Sequence, residues 1–248
     1  MKKVIALTFL SFIFYSACSM TNDSSRKKEN TVEIHNVGIS GNTSQDLRKR
    51  LEKDLLSVQP NLTIIMVGTN DMLNSRKLVS LADYEKNLGY IIDQLKEIKS
   101  QVVLMSPPPV DTAYLFTRHE RDAFTISPND KLDSVTMIMK KLAEQKHVSF
   151  FNLNQVFKDN NIPQHNQDMY IRNAMNSGKG DGVHPTAKGY QFIGESLLSF
   201  LQEYGLLKHV RCLACFGDSI TYGAGSKGGG TIYGDNYPSF LNQAINKH

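Results

Sequence analysis

The sequence predicts an α/β protein in three layers, with a five-stranded parallel sheet covered by helices on both faces. Two observations lead to this prediction. Five short runs are almost continuously apolar, as in strands buried on both faces, and amphipathic stretches separate them. The 248 residues, 40% hydrophobic and 21% charged, suffice for one domain with a sizeable core, so a second domain is not required.

Each strand is predicted from its apolar run and each helix from its spacing of apolar residues. The predicted strands are TVEIHNVGI (31–39), NLTIIMVG (61–68), QVVLMS (101–106), HVSFFNL (147–153) and KHVRCLACFG (208–217). The predicted helices cover 43–58, 80–100, 128–146, 154–160, 186–205 and 236–248. Segments 107–127 and 161–182 lack periodicity. A loop as long as 107–127 is usually functional or mobile in a compact domain, so it is a candidate wall of a binding site.

The N-terminus has the pattern of an export signal. Two lysines precede an apolar stretch over 4–17, which is too short for a mature membrane-spanning helix. The following YSAC (15–18) resembles the bacterial lipoprotein processing site, where the chain is cut before a cysteine that then carries the lipid. Tyr15 departs from that pattern, since an aliphatic residue is usual there.

We therefore predict a signal peptide over 1–17, lipid attachment at Cys18, a polar tether over 18–30 and one folded domain over 31–248. The protein is expected to be exported as a bacterial cell-envelope lipoprotein, periplasmic or on the surface, whose only membrane contact is its lipid. An ordinary cleaved signal peptide followed by a free cysteine is the alternative.

Charge and cysteine content limit the possible partners. The formal net charge is +4 and the basic residues are spread along the chain, so a nucleic-acid partner is not expected. Cys212 and Cys215 lie three apart in a predicted strand and point to opposite faces, so they cannot easily pair. We expect two buried thiols rather than a zinc site, which would want four ligands.

Four short polar motifs fall where the loops after the strands meet, which is where binding residues of parallel sheets collect. Each motif alone is weak evidence, because a glycine after a strand is most often a turn and a serine before a helix is most often an N-cap. The motifs are GNT (41–43), GTND (68–71), DGVHP (181–185) and GDS (217–219).

Together, five residues of these motifs supply what acyl transfer needs. Ser219 can attack a carbonyl carbon if a base takes its proton, and the imidazole of His184 is suited to that role. Asp181 can hold the imidazole in one tautomer and stabilise its charged form. The backbone N–H groups of Ser219 and Gly41 and the side-chain amide of Asn70 are candidate donors to the oxyanion. This combination favours a serine esterase.

The same motifs resemble a known family. GISGNT, GTND, DGVHP and GDSITYG resemble the four sequence blocks of the SGNH, or GDSL-type, hydrolases, over nearly the whole mature chain. The resemblance implies a flavodoxin-like fold and a Ser219–His184–Asp181 triad. It also implies an oxyanion hole of Ser219, Gly41 and Asn70, with no cofactor and no metal.

The order of the motifs departs from the family. The serine block ordinarily comes first, whereas here it lies at 210–226 and comes last. The sequence therefore resembles a circularly permuted member in which the first strand, nucleophile loop and first helix have moved to the end. Catalysis requires spatial order rather than chain order, so the triad is still expected to assemble.

Other functions are weighed against the esterase. GAGSKG (223–228) matches a dinucleotide fingerprint in form, but the position about 20 residues later is His248 rather than an acidic residue. Asp181 and His184 could be half of a metal site, but no second cluster has ligand spacing. The polar loop beside the histidine favours acetyl esters on glycans as substrates. Lipase, lysophospholipase or thioesterase activity is the alternative, and a non-catalytic glycan-binding lipoprotein is a further one.

Overall fold

Five parallel strands form one sheet in the computed structural model, which describes residues 31–247. Every predicted strand is present, and each is shorter than its apolar run. The strands are β1 (Glu33–Gly38), β2 (Leu62–Met66), β3 (Gln101–Met105), β4 (Ser149–Phe151) and β5 (Cys212–Gly217). All neighbouring pairs are parallel, so the predicted fold class is confirmed.

The predicted helices are also present, some with different ends. The helices are α1 (Ser44–Asp54), α2 (Thr69–Leu73), α3 (Leu81–Glu97), α4 (Thr112–Leu115), α5 (Pro128–Lys146), α6 (Leu153–Asp159), α7 (Ala174–Ser177), α8 (Ala187–Glu203), α9 (Ser219–Tyr222) and α10 (Tyr237–Ile245). The helix predicted over 43–58 ends at Asp54 and continues as a 3₁₀ turn, Leu56–Val58. The short helices α2, α4, α7 and α9 were not predicted, because four or five residues are too few for an apolar period to show.

The strand order is β1-β5-β2-β3-β4, so the last strand in the chain lies inside the sheet. Phe216 of β5 is in register with Val37 of β1 on one side and with Ile65 of β2 on the other. Counting β5 as the first strand gives the order 2-1-3-4-5, which is that of flavodoxin-like folds. The loops after β1, β5 and β2 therefore leave the sheet side by side.

Two apolar clusters fill the space between the sheet and its helices. Leu47, Leu88 and Leu142, from α1, α3 and α5, pack on one face with Phe216. On the other face, helices α6, α8 and α10 contribute buried residues that pack against Leu213 and Cys215 of β5; among them are Phe157, Leu197 and Leu241. Because both faces are covered, the strands can be apolar throughout.

The two ends of the described chain meet. The backbone N–H of Val32 donates to Oδ1 of Asn246 at 2.9 Å, and Nδ2 of Asn246 donates to the carbonyl of Val32 at 2.9 Å. The predicted signal peptide (1–17), tether (18–30) and lipid attachment at Cys18 lie outside the described residues. None of the helices within 31–247 is long and apolar enough to cross a bilayer.

The two cysteines of β5 have different environments. Cys215 is fully buried in the cluster beneath α8 and α10, as expected. Cys212 is only partly buried, so the prediction of two buried thiols is wrong for this residue. The reason is its place at the start of the strand, beside Glu33 of the edge strand β1.

Candidate active site

Ser219 lies at a tight turn from strand to helix. Strand β5 ends at Gly217, Asp218 caps α9 by accepting a hydrogen bond from the backbone N–H of Ile220 (2.9 Å), and Ser219 is the first residue of that helix. Helix α9 passes so close to the sheet that a Cβ on Gly38 would lie 2.1 Å from the backbone nitrogen of Tyr222. The absence of a side chain at Gly38 therefore lets α9 carry Ser219 to this position.

His184 and Asp181 are aligned with Ser219 in one hydrogen-bonded row. Nε2 of His184 lies 3.0 Å from Oγ of Ser219, and Nδ1 lies 3.0 Å from each carboxylate oxygen of Asp181. Asp181 also accepts hydrogen bonds from the backbone N–H groups of Val183 (3.0 Å) and His184 (2.9 Å). The structure thus brings together three residues that the sequence singled out, two of them 35 or more positions from Ser219.

These contacts keep Asp181 ionised. Burial alone would raise its pKa, but the hydrogen bond and charge of His184, together with the two backbone N–H groups, outweigh burial. The pKa of Asp181 consequently lies well below its ordinary value. A permanently charged carboxylate at this place can orient the imidazole and stabilise it once it is protonated.

Two arginines beside Asp181 were missed in the sequence. Arg118 donates to the carbonyl oxygen of Asp181, and its Nη2 lies 3.6 Å from Oδ1. Nη1 of Arg172 lies 4.0 Å from Oδ2. They come from separate loops with no common spacing, so only the position of Arg118 within 107–127, the expected wall, could have indicated it.

Asn70 lies at the start of α2, close to the loop that contains Gly41. Its Nδ2 donates to the carbonyl oxygen of Asn42 at 3.1 Å, which leaves a second amide hydrogen for another acceptor. Gly41 has a φ of +80°, in the left-handed region that favours glycine. Asn70 lines the same cavity as Ser219, whereas Gly41 lies in the adjoining loop.

Asp71 fixes this loop to the rest of the site. Both of its carboxylate oxygens accept from the backbone N–H of Ser44, at 2.9 and 3.1 Å, which ties α2 to the first turn of α1. Burial raises the pKa of Asp71 to about 6, although the hydrogen bonds from Ser44 oppose the shift. The segment that joins Gly41 to Ser44 is therefore held at Ser44 by Asp71 and at Asn42 by Asn70.

Asp218, directly before Ser219, is a second buried carboxyl group. Burial raises its pKa to about 7, only partly offset by the backbone N–H of Ile220 and the charge of His184; the nearby charge of Asp71 adds to the rise. Among residues 31–247, its Oδ2 finds no hydrogen-bond partner. Asp218 and Asp181 therefore differ in protonation although both belong to the site.

A small cavity of about 60 Å³ opens directly beside Ser219 and His184. Its lining residues are Thr69, Asn70, Leu73, Asn74, Leu115, Arg118, His119, Val183, His184 and Ser219. The segment 107–127 contributes Leu115, Arg118 and His119, in agreement with its expected place. Pockets for drug-sized ligands measure roughly 300–1,000 Å³, so this one admits only a small group.

Two further histidines lie near the site. Nδ1 of His119 lies 3.2 Å from Oγ of Ser75, and burial and the charges of Arg118 and Arg76 lower the pKa of His119, which favours the neutral imidazole. Nδ1 of His165 lies 2.7 Å from Oδ2 of Asp111, whose backbone N–H in turn donates to the carbonyl of Gly182. His165 thereby supports the loop that contains His184.

Comparison with known proteins relates this site to esterases. The chain is 25% identical over 182 residues to an acetylxylan esterase from Geobacillus stearothermophilus. The aligned residues cover 70% of this chain and 73% of that protein. The chain is 29% identical over 102 residues to an uncharacterized lipoprotein, YqeF, from Bacillus subtilis, but it spans only 42% of that relative and 38% of itself.

Solved structures give a similar result. A variant of an acetyl-xylooligosaccharide esterase from Geobacillus is 26% identical, with a TM-score of 0.53, over 70% of this chain and 72% of that one. An acetyl xylan esterase shares the fold, with 23% identity and a TM-score of 0.53. The match covers 66% of this chain and 79% of the esterase chain.

A model of the GDSL-like lipase/acylhydrolase family matches residues 17–192, which is more than half of the chain. The matched range contains Gly41, Asn70, Asp181 and His184 and ends before Ser219. The chain therefore belongs to the GDSL-like lipase/acylhydrolase family and is a carboxylic ester hydrolase.

Proposed function

We propose that the chain is a serine esterase that removes short acyl groups, acetyl above all, from carbohydrate. The observation that carries this proposal is the row of hydrogen bonds from Ser219 through His184 to Asp181, all at 3.0 Å, at the edge of a cavity of about 60 Å³. An acetyl group is small enough for such a space. Similarity to an acetylxylan esterase supports the carbohydrate side of the proposal.

In the proposed mechanism Oγ of Ser219 attacks the ester carbonyl while Nε2 of His184 takes the hydroxyl proton. Asp181, held ionised, stabilises the imidazolium that forms. The tetrahedral oxyanion accepts hydrogen bonds from the backbone N–H groups of Ser219 and Gly41 and from the amide of Asn70. His184 then donates its proton to the leaving alkoxide, which breaks the ester bond and leaves an acyl group on Ser219.

Water completes the cycle. His184, now neutral, takes a proton from a water molecule that attacks the acyl-enzyme, and a second tetrahedral species forms at the same oxyanion donors. Return of the proton to Oγ of Ser219 releases acetate and restores the enzyme. Arg118 and Arg172, beside Asp181, keep its carboxylate in place through both steps.

The experiment compares acyl chain lengths. We expect kcat/KM for 4-nitrophenyl acetate to exceed that for the octanoate ester by roughly tenfold or more, because eight carbons do not fit a cavity of this size. Acetate release from an acetylated xylo-oligosaccharide tests the carbohydrate part, with Ser219→Ala as the control. Faster cleavage of octanoate would make the protein a lipase, lysophospholipase or thioesterase, and no cleavage of any ester would favour a binding role.

Two further proposals concern the whole chain. We propose that it is an exported envelope lipoprotein with lipid on Cys18; a relative named as a lipoprotein supports this, and Cys18→Ser should move the protein from the membrane fraction to the soluble fraction. We also propose that the chain order is a circular permutation of the family's order. The central place of β5 and the hydrogen bonds between Val32 and Asn246 support it.

A further inference from the structure

Three potential metal ligands meet at the start of the edge strand β1. In the parallel pair β1–β5, Glu33 is in register with Cys212. His35 follows Glu33 by two positions, so both side chains point to the same face of the sheet, which is also the face of Cys212. Cys212 is far from Glu33 and His35 in the sequence, so the spacing of residues along the chain does not indicate this cluster.

Their side-chain atoms are close enough to share one ion. One ligand atom from each residue, a carboxylate oxygen, an imidazole nitrogen and the sulfur, lies within 4.8 Å of the other two. Nε2 of His35 lies 3.0 Å from Oε1 of Glu33. That nitrogen is closed off from solvent, yet it makes no hydrogen bond of acceptable geometry within residues 31–247.

Nε2 of His35 is closed off from solvent and faces the Glu33 carboxylate without making a hydrogen bond to it, and this arrangement requires an explanation. An exposed ion pair of His35 with Glu33 would contribute little, and it would not involve Cys212. A metal ion would satisfy all three groups at once, since Zn²⁺ binds nitrogen at about 2.0–2.1 Å, carboxylate oxygen at about 2.0–2.2 Å and sulfur at about 2.3 Å. Nitrogen and sulfur donors exclude Mg²⁺ and Ca²⁺, which prefer oxygen alone.

We propose that Glu33, His35 and Cys212 form a binding site for a divalent transition metal, Zn²⁺ by the chemistry of its donors, with water as the fourth ligand. The partial exposure of Glu33 and Cys212 gives the ion access from solvent. No residue of the site belongs to the cavity beside Ser219.

The site has a structural role rather than a catalytic one. Cys212 begins β5, a strand of six residues, and Ser219 comes two positions after its end, so roughly 20 Å of strand separates the ion from the nucleophile. Strand β1 has a single neighbour in the sheet, β5, and an ion shared by Glu33, His35 and Cys212 would bridge these two strands. Metal binding should therefore stabilise the edge strand that leads to Gly41.

The test uses the full chain without a histidine tag, in reduced form, with Cys18→Ser throughout so that Cys212 and Cys215 are the two remaining thiols. Co²⁺ is the spectroscopic probe, because a bound thiolate gives a charge-transfer band in the near ultraviolet. We expect this band in the parent protein and in the Cys215→Ser control, and its loss in Cys212→Ser. Absence of the band from the parent, or its persistence in Cys212→Ser, would overturn the proposal.

Thermal unfolding with Zn²⁺ supplies a second measurement. Zinc at about a hundredfold excess over Kd should raise the Tm by roughly 5–10 °C for a domain of this size. His35→Ala should abolish the shift, and Glu33→Gln, at an exposed position, should weaken zinc binding by roughly tenfold or more. An equal shift in the parent and in both variants would mean that zinc binds elsewhere, and the proposal would be wrong.

Discussion

At the residue scale, the carboxyl groups of Asp181 and Asp218 have environments that drive their pKa values apart. Asp181 accepts hydrogen bonds from His184 and from two backbone N–H groups, and its pKa is lowered despite burial. Asp218 accepts a hydrogen bond from the N–H of Ile220, and burial raises its pKa to about 7. Asp218 is fully buried and has one donor, whereas Asp181 is only partly buried and has more donors and the charge of His184, and these differences together decide which carboxylate stays charged.

The raised pKa of Asp218 predicts a pH-dependent cost to stability. Between about pH 4 and pH 7 the unfolded chain releases this proton while the folded chain keeps it, so stability falls as pH rises through that window. Asp218→Asn removes the titration. The Tm of the variant minus that of the parent should grow by roughly 5 °C or more between about pH 4.5 and pH 8.

Thermal scans of both proteins at the two pH values check this. Titrating groups that do not interact with Asp218 are common to both proteins and cancel in the difference, whereas Asp71, whose charge acts on Asp218, contributes to it. A Tm difference independent of pH would show that Asp218 is ionised in the folded protein throughout.

Asn70 should contribute to the transition state alone. Asn70→Ala should lower kcat by roughly 10²–10³-fold with little change in KM, because the oxygen that its amide is proposed to contact is charged only there. Asn74→Ala is the matched control, since Asn74 lines the same cavity at the end of α2. Steady-state kinetics on acetate esters check both variants. An effect confined to KM would assign Asn70 to substrate binding, and equal losses of kcat in both variants would show that the effect is not specific to Asn70.

At the scale of elements, the sequence predicted the strands and helices that have a repeating apolar pattern and missed the single-turn helices. Continuous apolar runs located all five strands, and the spacing of apolar residues located the long helices. The single-turn helices α4 and α9 depend on local contacts, such as the cap that Asp111 provides to Ala113 at 3.0 Å, and no period indicates them. The arginines beside Asp181 were missed for the same reason, because loop positions follow from tertiary contacts.

The approach of α9 to β1 predicts that Gly38 cannot be enlarged. A Cβ at this position would lie 2.1 Å from the backbone nitrogen of Tyr222, so Gly38→Ala must push α9, and Ser219 with it, away from the sheet. Overpacking of this kind costs about 1–3 kcal/mol or more, and we expect a Tm roughly 4–10 °C lower together with loss of esterase activity.

Gly89→Ala is the control for that experiment. Gly89 is buried within α3, and its added Cβ would lie 3.9 Å from Leu142, an ordinary contact. Alanine is the better helix former, so the Tm should stay the same or rise. Full activity and an unchanged Tm in Gly38→Ala would contradict the close packing of α9.

At the scale of the whole molecule, chain order and spatial order differ. The last strand, β5, lies between β1 and β2, the strands whose loops carry Gly41 and Asn70. The four motifs and their family resemblance indicated the position of β5 in the sheet. Periodicity alone predicts strands but not their order. The sequence could not indicate the meeting of Glu33 and Cys212, which follows from the register of β1 and β5.

The proposed permutation predicts that a rearranged chain remains active. The rearranged chain starts at His209 and runs to Lys247, where a linker of about 2–6 residues joins it to Thr31, and it ends at Lys208. This arrangement restores the family's order. The new ends fall in the exposed turn after α8, and Val32 already contacts Asn246. We expect kcat/KM on acetate esters within roughly tenfold of the parent. A rearranged chain that fails to fold would contradict the proposal.

The central claim is that Ser219 is the nucleophile, activated by His184, and one measurement tests it directly. The protein is treated with a fluorophosphonate, which reacts with activated serines, and the adduct is located by peptide mass spectrometry. We predict one adduct per chain, on the peptide that contains Ser219, absent from Ser219→Ala and greatly slowed in His184→Ala. An adduct on another residue, or an enzyme that hydrolyses acetate esters while Ser219 stays unmodified, would contradict the account.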